Sequence, residues 1–247
     1  MRRVVIVAFP GVQSLDVTGP TEVFAAAGGH RVELAAPVAG PVRSSSGLGL
    51  VAEHAVADVR GPVDTLVVAG GPGTRAAARD PEVVTAVGRL AARSRRVASV
   101  CTGAFVLAAS GLLDGRRATT HWASCDLLAR LHPAVSVEPD AIFVRDGDVW
   151  TSAGVTAGID LALAMVEQDL GRAAALRVAR QLVVFLKRPG GQSQFSAQLA
   201  GQFSDQAAVR DLQAWIVDHL AEPLTVERLA ARAVMSPRHF ARVFRRD

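Results

Sequence analysis

Short apolar runs rich in β-branched residues alternate, through roughly the first 165 residues, with stretches whose apolar positions recur every three or four residues. Arg3–Ala8, Arg31–Ala36, Thr65–Ala69 and Arg96–Val100 read as strands, and Val17–Ala27, Pro81–Ser94 and Thr102–Ala109 read as helices. This alternation predicts crossover units, and so an α/β fold with a mostly parallel sheet covered by helices on both faces. Ser136–Val137, Ile142–Arg145 and Val149–Thr151 bracket Asp146-Gly147, a hairpin turn signal, and predict a small antiparallel appendage or edge.

Two further helices, Val155–Leu170 and Arg172–Lys187, close this region before Arg188-Pro-Gly-Gly-Gln-Ser193 breaks the pattern. The expected organisation is a domain over 1–187, a linker over 188–206 and a small all-α unit over 207–247. Ala207–Leu220 reads as a helix with Leu212, Trp215, Ile216 and Leu220 on one face.

The end of the chain has the layout of a helix-turn-helix. Leu224–Ala233 is a short helix with Thr225 as N-cap and Leu229 and Ala230 facing inward. Val234 and Met235 make the turn, Ser236 caps the next helix, and Pro237 sits at its first position, where a missing amide costs nothing. Phe240 and Phe244 are expected in the core. Arg238 and Arg242, one turn apart near the start, are placed to read guanine edges, while His239, Arg245 and Arg246 suit phosphate. The bland alternative is an ordinary basic amphipathic helix pair.

Charge sharpens this reading. From Gly171 onward there are 12 Lys+Arg against 6 Asp+Glu, so the tail carries +6 and the remainder, given a total of +4, carries −2. A basic half beside an acidic one points to a polyanion partner, with a solvated helical face as the alternative. Half of the 247 residues are apolar, enough for a sizeable core without staples. No stretch reaches the uninterrupted apolar length of a membrane span or a signal peptide, and Cys101 and Cys125 form neither a disulfide framework nor zinc-ligand spacing. A cytoplasmic, reducing location is expected, with no metal, cofactor or membrane partner.

Cys101 stands at the turn between the strand Arg96–Val100 and the small-residue helix that follows. A side chain there lies above the carboxyl ends of the strands, where open α/β sheets place their sites. The amides of Thr102 and Gly103 are expected to favour a thiolate or hold an oxyanion. The turn Ala69-Gly-Gly-Pro-Gly73 should bring the Gly71 amide to the same crevice. Asp16, in the loop after the first strand, and His121, after the short strand Ala118–Thr120, complete the candidate set. Against each stands a plainer role: Cys101 and Cys125 as small buried hydrophobes, His121 as a hydrogen-bonded packing residue beside Trp122, and Glu22 as a buttress of the Asp16 loop.

Five segments occurring in order carry a resemblance: Phe9–Phe24, the Ala-Gly-Gly-Pro-Gly turn, Ser99-Val-Cys-Thr-Gly103, Ala118-Thr-Thr-His-Trp122 and Thr151–Gly158. Over about residues 3–187 they resemble the ThiJ/PfpI branch of the class I glutamine amidotransferase-like superfamily. The resemblance implies a flavodoxin-like sandwich, a nucleophile-elbow cysteine and a homodimer. Members with protease-like or deglycase-like chemistry carry a histidine after the cysteine or a glutamate beside it. Here Thr102 and Asp16 hold those places, a pattern similar to isonitrile hydratases and to regulators that use this domain as a sensor.

Ala207–Asp247 is similar to the start of an AraC/XylS-type DNA-binding domain, which is about twice as long, so a truncated or naturally short form is expected. The resemblance thus offers two readings. In the first, the chain is a DNA-binding transcriptional regulator whose first domain binds a small effector and dimerises. In the second, it is an isonitrile hydratase-like enzyme with Cys101 as nucleophile, Asp16 as proton shuttle and Thr102 orienting the intermediate. The helix-turn-helix, without a role in an isolated hydratase, favours the first.

Overall fold

The computed structural model describes residues 1–188, 190–192, 212, 215–216, 219–220 and 222–244, in two compact units, Met1–Gln192 and Ser193–Asp247. The first runs past the expected boundary: Arg188 and Gly190–Gln192, read from the sequence as linker, belong to it.

In chain order the first unit comprises β1 (Arg2–Val7), α1 (Ser14–Ala27), β2 (His30–Ala36), β3 (Gly40–Arg43), β4 (Gly49–Ala52), β5 (His54–Ala55), β6 (Val63–Val68), α2 (Thr74–Ala77) and α3 (Pro81–Ala91). There follow β7 (Ser94–Val100), a 3-10 turn over Cys101–Gly103, α4 (Ala104–Ala109), β8 (Arg117–Ala118), α5 (Cys125–Leu131), β9 (Ser136–Val137), β10 (Phe143–Asp146), β11 (Val149–Ser152), α6 (Ala157–Leu170) and α7 (Arg172–Gln181). Seven strands form one sheet in the order β10-β11-β7-β6-β1-β2-β5, parallel except for β10 against β11. The hairpin at Asp146-Gly147 is therefore an edge of the main sheet. The hairpin of β3 and β4 was not anticipated, because its glycines and proline mask the alternation of a strand.

Successive residues of a strand point to opposite faces, yet Val4–Val7 of β1 and Leu66–Val68 of β6 are all buried. Both faces of the sheet are thus covered, which is why these strands read as continuous apolar runs. Helices α1, α6 and α7 pack together, as do α3 and α4. At the amino end of the sheet Arg96, nearly fully buried, is held by Thr65, Gln168 and Asp169. Burial alone would raise the Asp169 carboxyl, but hydrogen bonds from His30 and Arg96 and the charges of Arg96 and Arg95 outweigh it and hold the group far below the usual carboxylate range.

In the second unit α8 (Val226–Arg232) and α9 (Pro237–Phe244) pack Leu229, Ala230, Ala233 and Phe240 with Leu212, flanked by Trp215, Ile216, Leu224 and Met235. Two expectations fail here. Leu220 is exposed, and so in part is Phe244, whose ring lies 5.0 Å from that of Phe240, while Val243 takes the buried place. Helix geometry explains the second: from Phe240, positions three and four onward flank the same face, and the smaller side chain fits inside. Among the described residues no helix is long and apolar enough to cross a membrane.

Candidate functional site

Cys101 is buried and its φ is +56°, in the left-handed region that a non-glycine residue occupies at a cost on the order of 1–3 kcal/mol. Its surroundings enforce the strain. The Cys101 N–H donates to the Ala153 carbonyl at 3.1 Å, and the Thr120 hydroxyl donates to the Cys101 carbonyl at 2.8 Å. A turn so pinned aims the thiol out of the strand direction, the geometry of a nucleophile elbow.

Two glycines let the elbow close. A Cβ at Gly103 would stand 2.2 Å from the Val68 carbonyl oxygen, and one at Gly70 would stand 2.6 Å from the Thr102 nitrogen and 2.8 Å from Cys101 Cβ. Gly70, not Gly71, is thus the glycine against the cysteine. Its N–H donates to Asp16 Oδ2 at 3.0 Å. The Gly71 N–H does not stand ready for an oxyanion as expected; it donates to Thr102 Oγ1 at 2.9 Å, and that hydroxyl also lies 2.8 Å from Thr74 Oγ1. A hydroxyl tied this way joins the Gly70 turn to the elbow.

Asp16 lies in the first turn of α1, not in the preceding loop, and is fully buried. Its Oδ1 has no hydrogen bond of ordinary geometry among the described residues. Burial pushes the carboxyl up to about 7, against the Gly70 amide, the Cys101 thiol and the Val155 amide, which all favour the charged form. Burial likewise pushes the Cys101 thiol up, to about 12, and the Asp16 charge adds to this. The Thr102 amide and hydroxyl act on the thiol in the direction expected of the helical turn, as does the Val155 amide, but they are outweighed. The expected thiolate is therefore replaced by a thiol beside a carboxyl that titrates near neutrality. Such a pair can pass one proton between them as a group adds to sulfur.

Val155 is the residue sequence reasoning missed. It is β-branched with a φ of +55°, and its amide acts on both Asp16 and Cys101. The motif Thr151–Gly158 contained it, but nothing in residue type distinguishes a valine in a left-handed turn. His121 does not join the proton pair. Its Nδ1 accepts from the Ala123 N–H at 3.3 Å, and its ring packs on Gly154, where a Cβ would meet Cδ2 at 2.2 Å. Burial lowers its pKa. Cys125 is buried, its Sγ 3.6–3.9 Å from the carbonyls of Thr120, His121 and Pro139. Glu22 is exposed on α1. A separate surface cavity of about 540 Å³ is lined by Val56, Ala57, Arg60, Ala86, Arg89, Ala92 and Arg93, none of them at the elbow.

In the second unit Thr225 Oγ1 accepts from the Arg228 N–H and Ser236 Oγ accepts from the His239 N–H, so both expected caps are present. Val234 takes a φ of +55° in the turn. Arg238, His239 and Arg242 are exposed on α9, and an Arg242 guanidinium nitrogen lies 3.0 Å from His239 Nδ1. Arg245 and Arg246 lie outside the described residues. Arg228 and Arg232, also exposed, lie over Trp215, at 5.3 and 4.3 Å from the ring centroid.

Comparison with known proteins agrees with this architecture. A sequence profile described as the DJ-1/PfpI family matches residues 2–168. The isonitrile hydratase of Pseudomonas putida is 44% identical over 175 residues, covering 70% of this chain and 75% of that protein. The HTH-type transcriptional regulator CdhR of Pseudomonas aeruginosa is 35% identical over 208 residues, 83% of this chain. The match spans 60% of that regulator's length. The crystal structure of a ThiJ/PfpI family protein from Pseudomonas syringae superposes with a TM-score of 0.70 at 28% identity, covering 94% of this chain and 90% of that one.

Proposed function

The chain belongs to the DJ-1/PfpI family, and from that premise we propose that it is a sequence-specific DNA-binding transcriptional regulator whose first unit binds a small effector at Cys101 and dimerises. The reading rests on the helix pair of the second unit; the first unit holds 192 of the 247 residues, about 78%, so a likeness to the regulator over 83% of the chain extends at least a short way past it. The likeness to the hydratase, over 70%, fits inside the first. A capped helix pair with exposed Arg238, His239 and Arg242 supports the same reading. A dimer through the first unit would present two such pairs to two half-sites. The test is a gel shift of the full chain on DNA flanking its own coding sequence. Binding should weaken steeply with salt and vanish on deletion of residues 193–247; no shift at low salt on any such fragment overturns the reading.

The elbow supports a second reading, hydration of an isocyanide. The Cys101 sulfur would add to the terminal carbon while its proton passes through Asp16 to that same carbon, giving a thioimidate. Water would then add and the thiol leave, releasing the N-substituted formamide and restoring the Cys101 proton. Formamide release that disappears in Cys101→Ser establishes this activity, and its absence from the wild-type chain excludes it.

A further inference from the structure

The stretch that leads out of the first unit is tied down at both ends. Gln192 is buried, and its side-chain amide is set among Thr119 Oγ1 at 3.2 Å and the carbonyls of Thr120, Pro139 and Ala141 at 3.1, 3.1 and 2.9 Å. An amide has two N–H groups, so four acceptors hold it without any one bond being indispensable. Its own N–H donates to the Asp140 carbonyl at 2.8 Å, and Gly191 lies so close to Asp140 that a Cβ there would stand 2.3 Å from a carboxyl oxygen. Four residues earlier, the Arg188 guanidinium pairs with Asp160 near the start of α6 and donates to Thr156 Oγ1 at 3.1 Å.

These anchors belong to the two walls of the elbow. Thr120, next to the acceptor Thr119, holds the Cys101 carbonyl through its hydroxyl. Thr156 follows Val155 directly, in the turn whose Ala153 carbonyl accepts the Cys101 N–H. A displacement at Cys101 therefore reaches Gln192 through one intervening residue, and reaches Arg188 through one short turn. Hydrogen-bonded walls with discrete partners are suited to carry such coupling.

We propose that Arg188 and Gly190–Gln192 form a latch that reports the state of the Cys101 pocket to the chain that follows. A group bound at the elbow that displaces Thr120 or the Ala153–Thr156 turn loosens Gln192 and Arg188. By reciprocity, opening the latch loosens the elbow. In taking the pocket as the effector site the inference rests on the regulator reading, but the coupling lies within Met1–Gln192 and is measured without DNA. Failure of DNA binding and failure of the latch are thus separate results.

The experiment uses the full chain. Cys101→Leu fills the elbow with a branched side chain, and hydrogen exchange followed by mass spectrometry reads residues 186–192, with β2 as the reference strand. Exchange in the latch should rise about tenfold while β2 is unchanged, and the rise should shrink when Thr120→Val has already cut the connection. In the reverse direction, Gln192→Ala should speed alkylation of Cys101 by iodoacetamide at pH 9 about tenfold, with Gln192→Glu as a second variant that keeps the side chain's length. Unchanged latch exchange in Cys101→Leu, or unchanged Cys101 reactivity in both Gln192 variants, overturns the proposal. An equal rise in latch and β2 exchange also overturns it, because that is general loosening.

Discussion

Asp16 and Cys101 share one buried pocket in which burial drives each toward its neutral form, and the Asp16 charge pushes the thiol further still. The carboxyl therefore titrates near pH 7 while the thiol stays protonated far above it, so the protonation state of the pair at neutral pH is decided by Asp16 alone.

This has a consequence for stability. In the unfolded chain Asp16 ionises near 3.8, whereas in the folded chain it holds its proton to about 7. Folding therefore loses stability as pH rises from about 4 to about 7 and changes little from this source above that. Asp16→Asn, neutral throughout, should match the wild-type free energy of unfolding in urea at pH 4 and exceed it at pH 8, by up to a few kcal/mol. A gap between the two proteins that does not widen with pH would contradict the assignment.

A thiol pushed up to about 12 is almost entirely protonated at neutral pH, and alkylation requires the thiolate. Cys101 should react with iodoacetamide at pH 7.4 at least about a hundredfold more slowly than an exposed cysteine, whose thiol titrates near 8.5. Asp16→Asn, by removing the nearby charge, should speed the reaction at pH 9. Peptide-level mass spectrometry distinguishes Cys101 from Cys125.

Gly70→Ala places a methyl group against backbone and Cβ atoms that cannot swing aside, the Thr102 nitrogen and Cys101 Cβ. A loss of about 2–4 kcal/mol in denaturant unfolding is expected. Gly88→Ala, where a Cβ meets nothing within 4 Å, serves as the control and should be neutral or mildly stabilising.

Arg96→Ala takes from the Asp169 carboxylate the cation nearest to it and leaves Arg95 and His30 beside it. Breaking a buried pair from one side costs about 3–5 kcal/mol when the charge is left alone; with two partners retained the loss should fall below that, and the variant should unfold at lower urea. Because the folded Asp169 carboxyl lies below its unfolded value, its contribution is present above about pH 4 and fades as pH falls further. Lowering the pH below 4 should therefore narrow the difference between variant and wild type.

In the second unit Arg238→Ala and Arg242→Ala should each cost about 1–3 kcal/mol in specific DNA binding and relax the preference at one base position. A uniform loss across sequences with a shallower salt dependence would instead place that arginine on phosphate. Fluorescence anisotropy at two salt concentrations separates the outcomes.

The α/β fold, the elbow at Cys101, the capped helices at Thr225 and Ser236 and the buried Leu229, Ala230 and Phe240 were legible in the sequence, because each rests on local chemistry: residue periodicity, a turn after a strand, a hydroxyl before a helix. The choice between edge and separate appendage for the Asp146-Gly147 hairpin, the substitution of Val243 for Phe244 in the core and the left-handed Val155 were not, since strand pairing, side-chain fit and backbone strain are set by distant neighbours. The same holds for the chemistry of the site. Sequence placed a cysteine, an aspartate and helical amides together and so suggested a thiolate. Only the tertiary structure, by burying Asp16 beside the sulfur and spending the Gly71 amide on Thr102, made the cysteine a thiol and the aspartate the group that titrates. Desolvation depends on everything packed around a group, and no spacing of residues along the chain records it.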